Sequence, residues 1–230
     1  MFYITGDMHR NFDRLSKLEY GDTLIILGDV GINVYLDERD EYLKEYLNSL
    51  GIKLFCVRGN HEERPENIST YKKSVMFNGE VYLEDKYQNL IFAVDGEEYN
   101  ICNKSVLVMG GAYSIDAEYR IKNNLIWFKD EQLSHDEMVS IYNKVCGKHY
   151  DVVLTHTCPY KYEPKEVFKK KIDQFKVDRS MECFFDLIEY SISYDKWYCG
   201  HFHTDKCIDN IEFMFKNIKK FNKSMELLKK

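Results

Sequence analysis

The stretch Lys53-Leu54-Phe55-Cys56-Val57-Arg58-Gly59-Asn60-His61-Glu62 passes within a few residues from an apolar run into a polar block. Lys53 to Val57 reads as a strand, and Gly59-Asn60-His61-Glu62 follows where it ends. The same figure repeats along the chain. Phe2 to Thr5 leads into Asp7-Met8-His9, Thr23 to Leu27 into Gly28-Asp29, Val152 to Thr155 into His156, and Trp197 to Cys199 into Gly200-His201-Phe202-His203. Between the first strands the sequence predicts a polar helix from about Asn11 and a second helix from about Asp37 to Leu50. In the latter, Leu36, Leu43, Tyr46, Leu47 and Leu50 recur at three- and four-residue spacing, and Gly51 is a stop. The first 60 residues are a βαβαβ pattern.

Residues 75 to 109 differ. Asn78-Gly79 and Asp95-Gly96 are hairpin dipeptides between apolar runs, which predicts antiparallel strands and the start of a second sheet or a sheet edge. Ser134-His135-Asp136-Glu137 predicts a capping box opening a helix with Met138, Ile141, Tyr142 and Val145 on one face. A helix near Met181 to Ser191 restores the alternation, and Asp209-Asn210 signals another hairpin before a basic end. No repeat or low-complexity linker intervenes, and 230 residues suit one domain, 1–230, with a substantial core.

A formal net charge of -6 argues against broad attraction to nucleic acid or anionic membrane, which needs a basic face. The seven cysteines are odd in number and scattered without any C-x-x-C pair, so neither a disulfide framework nor a zinc ribbon is expected. Reduced thiols fit a cytoplasmic location. The first strand starts at once, with no charged and apolar leader before it, and no apolar run approaches a membrane span.

Of seven histidines, five fall inside the strand-end signatures, and only His135 and His149 lie elsewhere. Open α/β sheets bind ligands in the crevice beyond the carboxyl ends of their strands, so signatures far apart in sequence can converge there. Imidazole and carboxylate donors suit first-row divalent ions: manganese foremost, with iron, nickel and zinc as alternatives.

The five signatures, in this order over residues 7 to 203, resemble those of the calcineurin-like metallophosphoesterase superfamily. The resemblance implies a four-layer α/β/β/α sandwich of two mixed β-sheets flanked by helices. It also implies two divalent metal ions, with Asp7, His9, Asp29 and His203 holding one, Asp29, Asn60, His156 and His201 the other, and Asp29 as bridge. Attack by a metal-bridging hydroxide would then hydrolyse a phosphate mono- or diester. His61 resembles the histidine that protonates the leaving oxygen, its alternative being a residue that orients Asp29 or Asn60. Glu62 reads as a strand-end or cap carboxylate. Arg10 and Arg120, with Asn60, are the candidate substrate-binding groups, because guanidinium matches phosphate geometry. Arg58 and Arg64 flank the signatures as well, and Tyr113 and Asn33 are further candidates for lining the pocket.

Val57-Arg58-Gly59-Asn60-His61-Glu62 is similar to the block found in phosphoprotein phosphatases and dinucleoside-polyphosphate hydrolases, but two departures weigh against that branch. Arg10 stands where those enzymes have glycine, and Gly28-Asp29-Val30-Gly31 lacks their phosphate-binding arginine. Gly200-His201-Phe202-His203 instead looks like the ending common among phosphodiesterases and small-molecule phosphatases. The expected partner is therefore a small phosphate ester or diester, with nucleic acid entering only as the substrate of a nuclease, the nearer rival. A non-catalytic interaction module is disfavoured because every ligand position is filled.

Overall fold

The structure, a computed structural model, describes residues 1–221; the basic end of the sequence lies largely outside them. Six strands, β1 (Phe2–Thr5), β2 (Thr23–Leu27), β3 (Lys53–Val57), β4 (Tyr71–Met76), β5 (Gly79–Glu84) and β6 (Leu90–Ala93), enter one sheet. β7 (Glu97–Ile101), β8 (Lys104–Met109), β9 (His149–Thr155), β10 (Ser193–Cys199), β11 (Lys206–Ile208) and β12 (Ile211–Phe213) form a second. A short β13 (Lys219–Lys220) returns to pair antiparallel with β1. The orders are β13-β1-β2-β3-β6-β5-β4 and β11-β12-β10-β9-β8-β7, each mixing parallel and antiparallel pairs.

Side-chain alternation along these strands builds three apolar layers. On β2, Ile25 and Leu27 face the second sheet, while Leu24 and Ile26 face outward; on β3, Phe55 and Val57 alternate likewise with Leu54 and Cys56. On β8, Val106 and Val108 point between the sheets and Leu107 and Met109 point away. Strands buried on both faces need cover on both, and helices supply it. α1 (Glu38–Ser49) lays Leu47 on the outer face of the first sheet. After the short α2 (Ala117–Lys122), α3 (His135–Val145) and α4 (Ser180–Ser191) cover the second with Ile141, Val145, Phe185 and Ile188. The result is the α/β/β/α sandwich that the sequence predicts.

Local signals fare unevenly. Asp37 caps α1 by accepting from Arg39 N, and the capping box at Ser134 and Glu137 is complete. The polar segment after Asn11 is only a single 3-10 turn, Asp13–Lys17. The first hairpin turns at Phe77-Asn78, both at positive φ, one residue before the Asn-Gly pair. Asp95-Gly96 makes no hairpin: it carries the chain from β6 in one sheet to β7 in the other. The turn that closes β7 on β8 is Cys102-Asn103, again at positive φ. Asp209-Asn210 does join paired strands. Among the described residues no helix is long and apolar enough to cross a membrane.

Candidate metal centre

β1, β2 and β3 are parallel neighbours in one sheet and β9 and β10 in the other, so their carboxyl ends open at the same edge of the sandwich. The loops beyond them interlock. Both Asp7 carboxylate oxygens accept from His201 N, at 3.1 and 2.9 Å, joining the loop after β1 to that after β10. Asp29 Oδ1 accepts from Asn60 N and His61 N, each at 3.0 Å. Glu62 is buried and accepts from Gly59 N at 3.1 Å and Gly31 N at 2.9 Å, which ties the loops after β2 and β3 together. Glu62 is thus a loop clamp, as its strand-end position suggests.

Close approach explains two glycines of the signatures. Gly28 has φ +88°, and a Cβ there would lie 2.0 Å from His156 Nδ1. A Cβ on Gly59 would lie 2.1 Å from Asp29 N. Asp7, His9, Asp29, His201 and His203 themselves adopt positive φ. Such conformations cost about 1–3 kcal/mol each and gather where surrounding structure imposes them, characteristically at functional sites.

The ring nitrogens and carboxylates converge. His9 Nε2 lies 2.9 Å from His203 Nε2 and 3.6 Å from Asp29 Oδ2, and His203 Nε2 lies 3.8 Å from Asp7 Oδ1. On the other side, His156 Nδ1 faces Leu27 O at 2.7 Å. That carbonyl can only accept, so the proton sits on Nδ1 and Nε2 carries a lone pair. His156 Nε2 points at Asn60 Oδ1, 2.8 Å away, and at Asp29 Oδ1, 3.5 Å away. The orientation of Asn60 is fixed by Ser114: Asn60 Nδ2 donates to Ser114 Oγ at 2.8 Å, and Ser114 Oγ donates to Glu131 Oε2 at 2.5 Å. His201 packs its ring 5.0 Å from that of His156 but joins neither of the two tight donor groups, Asp7–His9–His203 and Asp7–Asp29–His156.

Electrostatics point the same way. Burial pushes the His156 and His201 rings down from the usual imidazole range, and burial with His9 nearby pushes His203 down to about 4. Burial, and then the neighbouring Asp29 carboxylate, drive the Asp7 carboxyl well up, against hydrogen bonds from His201 and the charge of Arg14. Imidazoles held neutral by burial, His156 with its Nε2 lone pair turned toward Asp29 and Asn60, set beside two buried carboxylates that repel each other, fit first-row divalent cations. The donor set therefore fits divalent metal ions, as the sequence leads one to expect.

The remaining candidates divide. His61 and Arg120 line a cleft of about 410 Å³ that includes Asp29, Asn60, His201 and His203, and Tyr113 lines it too. Arg10 borders an adjoining hollow with His9 and Asp29, but its guanidinium is engaged by Asp40, Gly31 O and Arg39 O. Arg58 and Arg64 are buried, bonded to Asp95 and to Glu137 respectively. Asn33 is buried against the Tyr71 hydroxyl and lines no part of the cleft. Sequence reading missed Ser114, Glu131 and the wall formed by Glu163, Arg179 and Glu182.

A family model described as calcineurin-like phosphoesterase matches residues 1–205. No curated protein matches the chain. Among solved structures, the chain is similar to a phosphopantetheinyl hydrolase from Mycobacterium tuberculosis, at 12% identity and a TM-score of 0.44, covering 93% of this chain and 87% of that one.

Proposed function

This chain belongs to the calcineurin-like phosphoesterase family and is a metal-dependent phosphoric ester hydrolase; from that premise we propose that it works through two divalent ions on small mono- or diesters. The carrying observation is the pair His156 Nε2 and Asn60 Oδ1, whose lone pairs face each other at 2.8 Å beside Asp29. Without a cation between them these atoms repel. Asp7, His9, Asp29 and His203 would hold one ion and Asn60, His156, His201 and Asp29 the other, with manganese the first ion to test. When bound, such a pair supplies charge neutralisation for a phosphoryl group and water acidified to near neutrality.

The chain's own residues do the rest. Arg120 borders both the main cleft and the adjoining hollow; Asp116 holds its Nε and Ile126 O its Nη1, which leaves Nη2 for phosphate oxygens, whereas both terminal nitrogens of Arg10 are engaged by Asp40, Gly31 O and Arg39 O. The His61 backbone helps fix Asp29, while its ring lines the cleft 5.8 Å from that of His9. We assign that ring the proton given to the leaving oxygen. Ser114 holds Asn60 with its carbonyl oxygen toward the centre. A cleft of about 410 Å³ and a net charge of -6 favour small esters over a nucleic acid chain.

The test is a chelated protein reloaded with manganese, iron, nickel or zinc and assayed on p-nitrophenyl phosphate and bis-p-nitrophenyl phosphate. Turnover should vanish on chelation and return with two ions per chain. Turnover that persists at a metal content below one ion per chain would overturn the reading.

A further inference from the structure

The cleft continues past His201 and His203 onto a wall built by residues 163–182, to which ester hydrolysis gives no role. Glu163 and Glu182 are buried in that wall, at 9% and 4% exposure. Each commits one carboxylate oxygen to the protein: Glu163 Oε1 accepts from Arg179 Nε at 2.8 Å, and Glu182 Oε1 from Thr157 Oγ1 at 2.7 Å. The second oxygen of each, Oε2, is buried and has no hydrogen-bond partner among the described residues. Arg179 does not serve them, because its terminal nitrogens donate to Gln174 O and Oε1 at 2.6 and 2.7 Å.

An unmet buried acceptor costs about 1–3 kcal/mol, more when charged, so two on one wall are a liability to the fold unless a ligand meets them. Their surroundings say what that ligand resembles. Phe168 and Phe202 line the same cleft as near-parallel rings, 6.2 Å apart and inclined by 19°, with Val167 and Val177 beside them. Carboxylate acceptors framed by flat apolar faces bind a planar group whose edge carries N–H donors. The cations of this wall lie elsewhere, Lys169 toward His203 and Arg179 bonded to Glu163 and Gln174, so the unmet carboxylate oxygens suit the alcohol portion of an ester whose phosphoryl group sits at the metal centre.

We infer that residues 163–182 form a specificity subsite selecting phosphate esters whose alcohol portion carries a planar head with N–H donors on one edge. This rests on the ester-hydrolase reading for the phosphoryl half. The donors come from one of two sources, an amidine-like cation or a guanine-like base, and paired probes separate them. The measurement is calorimetric binding of benzamidine against acetophenone, and of guanosine against inosine, to full-length protein kept in chelator. In at least one pair the member with the additional N–H donors, benzamidine or guanosine with its 2-amino group beside N1–H, should bind at least tenfold more tightly, and Glu182→Ala should erase that ratio. Equal affinities within both pairs, or no binding by any probe, would overturn the subsite. The native protein alone decides this if the variant fails to fold. Chelation removes the ions from the measurement, so subsite binding and ester turnover fail separately.

Discussion

Asn60 Nδ2 donates to Ser114 Oγ at 2.8 Å, and that one bond decides which atom of the Asn60 amide faces His156. Glu131 takes the hydroxyl proton of Ser114, leaving the hydroxyl only its lone pairs for Asn60. Losing the serine lets the amide rotate and present N–H to the centre instead of its carbonyl oxygen. Partners of metal-binding side chains are worth about 10–100-fold in affinity. Ser114→Ala should therefore weaken manganese binding by about that factor at the Asn60 ion only, and Ser114→Thr should restore it; titration calorimetry that finds native affinity in the alanine variant would contradict the arrangement.

Asp29 faces imidazoles on both sides, 3.6 Å from His9 Nε2 through Oδ2 and 3.5 Å from His156 Nε2 through Oδ1, while the carboxylate common to the two tight donor groups is that of Asp7. His203→Ala should lower bound manganese from two ions per chain to one, and His156→Ala should do the same. Asp29→Asn should weaken both. Metal analysis after desalting distinguishes these, and an Asp29→Asn protein that keeps two tight ions would show that the two ions do not share its carboxylate.

The strand-end signatures were legible because each is local: an apolar run, then a ligand type at the point where the strand stops. The sandwich was legible from strand–helix alternation at both ends with hairpin signals between them, together with what the family resemblance implies. What stayed hidden depends on pairing across the chain. Asp95-Gly96 has the composition of a hairpin turn, yet β6 and β7 belong to different sheets, and no local signal says which strands pair. Arg10 could not be known to meet Asp40, nor Ser114 to meet Asn60, because serine, arginine and aspartate are common and their partners lie 30 and 54 residues away. The wall of Glu163 and Glu182 lies mostly in irregular turns with no periodicity to read.

Burial, opposed by Thr157 and outweighing the pull of Arg179, pushes Glu182 up to about 7, with Glu163 adding to the rise. The folded state thus holds a proton that the unfolded chain, near the ordinary carboxyl value of 4.5, releases earlier. Stability from this group is fully present below about 4.5 and declines as pH rises toward 7, by an amount on the order of 2–3 kcal/mol. Urea unfolding of the chelated protein from pH 4.5 to 8 should show that decline, and Glu182→Gln should flatten it. A slope unchanged in the variant would assign the decline to other groups.

The role of His61 is decided by leaving-group chemistry. A general acid contributes roughly 10² to 10⁴ in rate, and most of it where the departing oxygen is strongly basic. His61→Asn removes the ring but keeps the backbone N–H that holds Asp29, so metal content should stay at the native level. Alkyl phosphates, whose alkoxides need a proton to leave, should slow by about 10² or more in that variant. p-Nitrophenyl esters, whose phenolate leaves unprotonated, should slow far less. A residue that merely positioned its neighbours would instead depress both esters alike or lower metal occupancy. Turnover of the two ester types at saturating manganese, with metal measured on the same samples, separates these outcomes; equal losses on both would remove His61 from proton transfer and leave the leaving oxygen to be served by solvent.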